Sequence, residues 1–318
     1  MTPKAKHLVG GNYFDDIRID IQQSILNQEK WLQNIKKESV RKSAFSNYID
    51  LVWYGLAKKL HFHDFLIVSS LNRTWFKEFY KYWTESLEGR PIEVPDFFQL
   101  QFLYRTKLQI TDEMSWSDSD QHLKNWQVPV NIGSTFNFVR KYAFRPMAFR
   151  YLHKFLRKDM RVLEYGCGVA PIYKTWKTFW NHINIEWVLA DIPNFPFHYA
   201  RHIYGKDRVV EFACITEDLF DDPLKNVDGD FDFIIIQEAF EHLDHPRFIA
   251  EYLLQRLNKG GFFYFDYINS GEPVGLDTPG GASERTATLS YLNDHLDICF
   301  GDFKINEHSV GVCVGKKK

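Results

Sequence analysis

A chain of 318 residues has room for one large domain or two medium ones, with a core that needs neither disulfides nor metal to hold it. Its 39 basic and 41 acidic residues nearly cancel, which leaves no global basic field for a phosphate backbone or an anionic membrane surface and disfavours nucleic acid as a partner. The apolar fraction of 45% is ordinary for a globular protein, but an aromatic content of 17% exceeds what core packing usually requires, so some rings are candidates for lining a pocket.

Cys167, Cys214, Cys299 and Cys313 are widely separated and form no C-x-x-C pair. That argues against a zinc knuckle or a dense disulfide framework and fits reduced thiols in a cytoplasmic protein; no metal site is expected. The opening MTPKAKHLVGGNYF lacks the apolar core of a signal peptide, and no uncharged apolar run approaches the ~18 residues that span a bilayer, so no membrane insertion is expected.

Along the chain, Ile17, Ile21, Ile25, Leu32 and Ile35 recur at helical spacing among polar residues, predicting amphipathic helices from about Asp15 to Leu87. Within them FSNYIDLVWYGLAKKLHFHDFLIVSSL is apolar enough to predict a helix buried against other helices. His61, His63 and Asp64 could suggest metal ligands, but helical positions two apart point away from one another, and a helix end is the better reading. Gly89, Pro91 and Pro95 break the pattern, and residues 96 to 130 read as mixed helix and loop. FNFVRKYAFRPMAFRYLHKFL is helical again.

From there the pattern changes. MRVLEY at 160 to 165, WVLAD at 187 to 191, RVVEFACI at 208 to 215, FDFIIIQ at 231 to 237 and GFFYFDY at 261 to 267 are short apolar or β-branched runs separated by helical stretches. Such βαβ repetition predicts a parallel sheet with helices on both faces. LDICF and SVGVCVG follow, joined by too few residues for a helical crossover, and should be antiparallel neighbours.

The strongest local signal is VLEYGCGVAP, where a strand runs through Gly166 and Gly168 into a helix begun by Pro171. Glycines there let the backbone approach a ligand closely. A nicotinamide-dinucleotide fingerprint would require a third glycine at position 171, and proline stands there instead. Asp191, at the tip of the second strand, is placed to accept hydrogen bonds from both ribose hydroxyls of a nucleoside. Cys167 sits in the glycine turn without a paired base and is read as packing.

EYGCG, then VLADIP, then FDFIIIQEAFEHLDHP, then LNKGGFFYFDY resemble the successive motifs of class I S-adenosylmethionine-dependent methyltransferases over about the last 170 residues, with a Gly260-Gly261 turn before the fifth strand. The resemblance implies an α/β fold: a seven-stranded, mostly parallel Rossmann-like sheet over residues 141–318, preceded by a mainly helical region, 1–140, that covers the substrate or docks a partner. It also implies S-adenosyl-L-methionine as cofactor. The methionine part would lie beside Glu164, Gly166, Cys167 and Gly168, the ribose and adenine at Asp191 and Ile192, and the amino-acid moiety or methyl group would be bordered by Gln237 and Glu238. The residue after the third strand that would meet the adenine stays open among Cys214, Ile215, Thr216, Glu217 and Asp218.

Methyl transfer from a sulfonium is an in-line displacement in which positioning supplies much of the rate, and a base matters only where the acceptor must lose a proton. His242 is the first candidate for that role, since an imidazole titrates near neutral pH; His245, Glu241 and Asp266 follow. The loop at 268 to 292 could form part of an acceptor pocket through Asp277, Thr278 and Arg285, or be a plain connection with Ser283 capping the next helix. The leading expectation is methyl transfer to a small-molecule acceptor such as a natural product, a sugar or a glycan-linked unit. The alternatives are a protein or RNA methyltransferase, motivated by Arg140, Lys141, Arg145, Arg150, Lys154, Arg157 and Lys158, and a non-catalytic S-adenosylmethionine-binding scaffold.

Overall fold

The computed structural model describes residues 52, 56, 59, 74–87, 91–92, 100, 126–127, 131–143, 149–269, 277–306 and 309–318. These fall into two compact units, one drawn from Met1–Lys107 and Val128–Ala143, the other from Leu108–Gln127 and Phe144–Lys318. The His61, His63 and Asp64 cluster and the helices expected before Thr74 lie outside the described residues, apart from Val52, Leu56 and Lys59, which are helical. Val52 and Leu56 are 52% and 45% exposed, so on this face the expected buried helix presents apolar side chains to solvent.

In the first unit, helix α1 (Thr74–Tyr82) is followed by a wider π turn, Trp83–Leu87, and packs against helix α2 (Asn131–Ala143). Phe136 of α2 meets Trp75 and Phe79 of α1 edge to face, at 5.6 and 5.0 Å between ring centres. α2 is buried from Asn131 to Asn137, and its polar side chains satisfy themselves along the helix: Thr135 donates to the Asn131 carbonyl and Asn137 to that of Gly133.

The second unit begins, among the continuous described residues, with a 3-10 turn at Arg150–Lys154. It continues β1 (Met160–Tyr165), α3 (Pro171–Phe179), β2 (Ile185–Asp191), α4 (Phe195–Tyr204), β3 (Val210–Cys214), β4 (Phe231–Ile236), α5 (Pro246–Gln255), β5 (Leu257–Tyr267), α6 (Pro279–Ser283), α7 (Arg285–His295), β6 (Leu296–Phe300) and β7 (Val310–Lys317). Strand order is β3-β2-β1-β4-β5-β7-β6, with β1 to β5 parallel and β7 antiparallel to both its neighbours. The seven-stranded α/β sheet and its antiparallel finish are therefore as expected. Val162, Leu163, Val188, Leu189 and Ile234–Ile236 are all essentially inaccessible, as a parallel sheet covered on both faces requires.

Two local expectations are corrected. Gly260 and Gly261 lie inside β5 rather than in a turn before it: the pairing with β4 jumps from Phe231↔Leu257 to Phe233↔Phe262, a bulge that Gly260 accommodates at φ +75°. Ser283 caps nothing; it ends α6, whose N-cap is Thr278 through a hydrogen bond accepted from Gly281 N, and α7 begins after Glu284 without a side-chain cap.

Candidate active site

The strand order reverses between β1 and β4, so the crevice above their carboxyl ends is where an open α/β sheet receives a ligand. β1 delivers Glu164 and the glycine turn there, β2 delivers Asp191, and β4 delivers Gln237 and Glu238. The predicted cofactor residues thus share one edge of the sheet.

The turn is built with a left-handed backbone at Gly166 (φ +66°), Gly168 (φ +50°) and Ala170 (φ +52°). A Cβ on Gly166 would stand 3.0 Å from the Cβ of Ala239, which backs the turn from the β4 side. α3 starts with Pro171 and no side chain of its own to cap it. Glu164 supplies the cap from the preceding strand, its two carboxylate oxygens accepting from Ile172 N at 3.2 Å and Tyr173 N at 2.9 Å. Its first task is thus to hold the helix against the turn. Burial raises its carboxyl to about 8 despite those two donors.

Asp191 is equally embedded. Oδ2 accepts from Gly168 N at 2.6 Å, while Oδ1 accepts from Ile192 N at 2.7 Å and Asn194 Nδ2 at 3.0 Å. A carboxylate has about four acceptor positions, so these donors leave Oδ2 open to one further hydroxyl. Burial lifts its pKa to about 6 against the pull of the same donors. Asn194, unnoticed in the sequence, also caps α4 by accepting from Phe197 N at 2.8 Å; Asn just before a Phe-Pro helix start is the signal that could have revealed it. Cys167 is buried, and burial together with the nearby Asp191 and Glu164 pushes its thiol up, consistent with a packing role. Cys214 pairs with Asp191 in the β2–β3 ladder, which keeps the end of β3 beside Asp191 without choosing among the residues that follow.

The β4 side is chemically different. Gln237 Oε1 is a buried acceptor that meets no donor. Glu238 has a left-handed backbone (φ +48°), held by its N–H donating 2.7 Å to Asp266 Oδ1 on β5. A 3-10 turn, Phe240–His242, follows. Glu241 is 3% exposed, and its Oε2 meets no donor. Burial raises its carboxyl to about 8, with Asp277 and Glu238 adding to the rise and Arg285 opposing it. Burial also pushes Asp266 well up, again with Glu241 and Glu238 adding to the rise.

His242 keeps a fifth of its side chain exposed and places Nε2 4.0 Å from Glu241 Oε1. Its ring meets that of Trp126 edge-on, centres 6.1 Å apart, so Trp126, from the stretch that carried no periodic signal, belongs beside the site. His245 is largely exposed, 3.6 Å from Glu284, at the start of α5. Arg285 is buried, donates to the Tyr267 carbonyl at 2.8 Å and lies over the Tyr267 ring.

Among the described residues no group of His, Cys, Asp and Glu is arranged to hold a metal ion, and no helix is long and apolar enough to cross a membrane. Of the basic residues before β1, Arg140 bonds Asn137 Oδ1, Arg157 bonds the Leu156 carbonyl and Lys158 lies beside Asp159.

The family described as a methyltransferase domain matches residues 138–296, half of the chain's 318. The chain belongs to this methyltransferase family. It is an S-adenosylmethionine-dependent enzyme, and the residues at the strand ends fit that cofactor: a glycine turn open to a backbone approach, a carboxylate with a position left for a hydroxyl, and an orphaned buried acceptor on Gln237. Solved structures to which the chain is similar include a methyltransferase from Pyrococcus furiosus, 17% identical over 55% of this chain and 84% of that one, TM-score 0.38. The N-methyltransferase NodS from Bradyrhizobium japonicum in complex with S-adenosyl-L-homocysteine is 13% identical over 66% and 98%, TM-score 0.39. A Haloferax volcanii complex of the Trm112 methyltransferase activator and a methyltransferase matches at 17% identity over 58% and 94%, TM-score 0.42. No curated protein sequence matches the chain.

Proposed function

We propose that this methyltransferase acts on a small-molecule acceptor held at the carboxyl ends of β4 and β5, with His242 taking the proton the acceptor must lose. The observation that carries the reading is the placement of a half-exposed aromatic ring, Trp126, against His242 at the end of the 3-10 turn that follows β4. A ring and an imidazole one residue from a buried carboxyl make a compact site suited to one acceptor group. Gly166, Cys167 and Gly168 would flank the methionine portion of the cofactor, Asp191 and Ile192 the ribose and adenine, and Gln237 and Glu238 the amino-acid or methyl end.

S-adenosylmethionine supplies a methyl already activated by its positively charged sulfur, so the protein's part is to orient the acceptor, exclude water and receive a proton. Gly168 N and Ile192 N fix the Asp191 carboxylate, and Ala239 fixes the turn from behind. Residues 1–140 contribute at least Trp126 as the covering element in this reading. Calorimetry with S-adenosylmethionine on wild type and Asp191→Ala tests the cofactor assignment: binding should weaken at least tenfold, about 1.4 kcal/mol, and equal binding by both proteins would remove Asp191 from the site.

A further inference from the structure

Four carboxyl groups, those of Glu238, Glu241, Asp266 and Asp277, gather near the ends of β4 and β5. They interact through space, and among the described residues the cation that enters the balance of Glu241 is Arg285, which also donates to the Tyr267 carbonyl and lies over the Tyr267 ring. Into this group points Glu241, its side chain 4% exposed and its Oε2 without any donor. Gln237 adds a second buried acceptor lacking one. A buried carboxyl oxygen with no partner costs free energy that a ligand bringing several N–H donors and a positive charge would recover.

Two cations could do so, the ammonium of the cofactor's methionine end or one on the acceptor. The glycine turn is backed by Ala239, whereas the electrostatic neighbours of Glu241 are Asp277, Glu238 and Arg285 and the next residue, His242, meets Trp126. Resting on the methyl-transfer reading above, we infer that the acceptor is a primary or secondary amine, its ammonium bound by Glu241 with Glu238, Asp266 and Asp277 around it and its body against Trp126. The ammonium gives one proton to His242. The freed nitrogen lone pair then forms the N–CH3 bond as the S–CH3 bond breaks, the sulfur keeping that bond's electron pair. Positive charge passes from sulfur to nitrogen, where the carboxylates stabilise it.

The test uses the full chain with S-adenosylhomocysteine bound and compares 2-phenylethylamine with its neutral isostere 2-phenylethanol by ligand-observed NMR. The amine should bind at least tenfold tighter. Glu241→Gln should reduce that preference to less than threefold while S-adenosylhomocysteine affinity, read by calorimetry, changes less than threefold. Asp277→Asn, further from the buried core, should reduce it by a smaller factor and serves where Glu241→Gln does not fold. Equal binding of amine and alcohol, binding of neither, or an amine preference untouched by both variants overturns the inference. A tenfold loss of S-adenosylhomocysteine affinity in Glu241→Gln assigns the cation to the cofactor and also overturns it. Failure of wild type to bind S-adenosylhomocysteine would instead remove the methyl-transfer reading beneath it.

Discussion

The β1–β2 side and the β4–β5 side of the crevice are both acidic, yet they treat their carboxyls differently. Glu164 and Asp191 are wrapped by five donors, Ile172 N, Tyr173 N, Gly168 N, Ile192 N and the Asn194 amide, so their charges serve the turn and the helix start as much as any ligand. On the other side Glu241 has an oxygen with no donor, and Asp266 spends its Oδ1 on the Glu238 N–H. A carboxylate whose two oxygens both have donors marks a preformed cradle with at most a position to spare; a buried oxygen with no donor marks a place finished by something else.

That contrast can be broken first at Glu164. Glu164→Ala strips the cap from α3 and leaves two N–H groups without their carboxylate, and unfolding by denaturant should show a loss of about 2–4 kcal/mol. A loss below about 1 kcal/mol would mean that the β1 side is no better braced than the other. His242→Ala bears on the β4 side: turnover should fall roughly a hundredfold, about 2.7 kcal/mol, with stability nearly unchanged and the acidic limb of the pH–rate profile lost. Full turnover at every pH would end its proton-transfer role.

Gly166→Ala should cost about 1–2 kcal/mol, because any side chain resists φ +66° and the new Cβ meets Ala239 at 3.0 Å; a thermal scan is sufficient to detect it. The smallest effect separates the two sides by pH. Glu164 and Glu241 are raised from 4.5 to about 8, so the folded protein holds protons that the unfolded chain has released. Their contribution is present below about pH 4.5 and is lost as pH rises through 8, hence stability should fall across that window. Glu241→Gln should flatten the fall between pH 5 and pH 8.5, whereas a parallel shift at all pH values would show that burial does not raise the Glu241 carboxyl.

Much of this was legible without coordinates because it is written in local pattern. The apolar run FDFIII with its three β-branched isoleucines reads as a strand buried on both faces, and Gly166, Gly168 and Pro171 suit a left-handed turn into a helix. The seven residues between Asp191 and Tyr199 carry a second signal, Asn194 before Phe-Pro, that periodicity alone passes over. Gly260 and Gly261 were recognised as a break but not as a bulge, since a bulge depends on the register with β4.

Sequence by itself determined the order of strands and helices, the acidic tips at Glu164 and Asp191 and the family, since each depends on neighbours within a few residues along the chain. Tertiary structure alone decided what those acids do. Whether Glu164 caps a helix, whether Asp191 keeps one position open, and whether one oxygen of Glu241 is left without a donor depend on groups brought together from strands and turns distant in sequence, and on the burial that makes each missing or present hydrogen bond count.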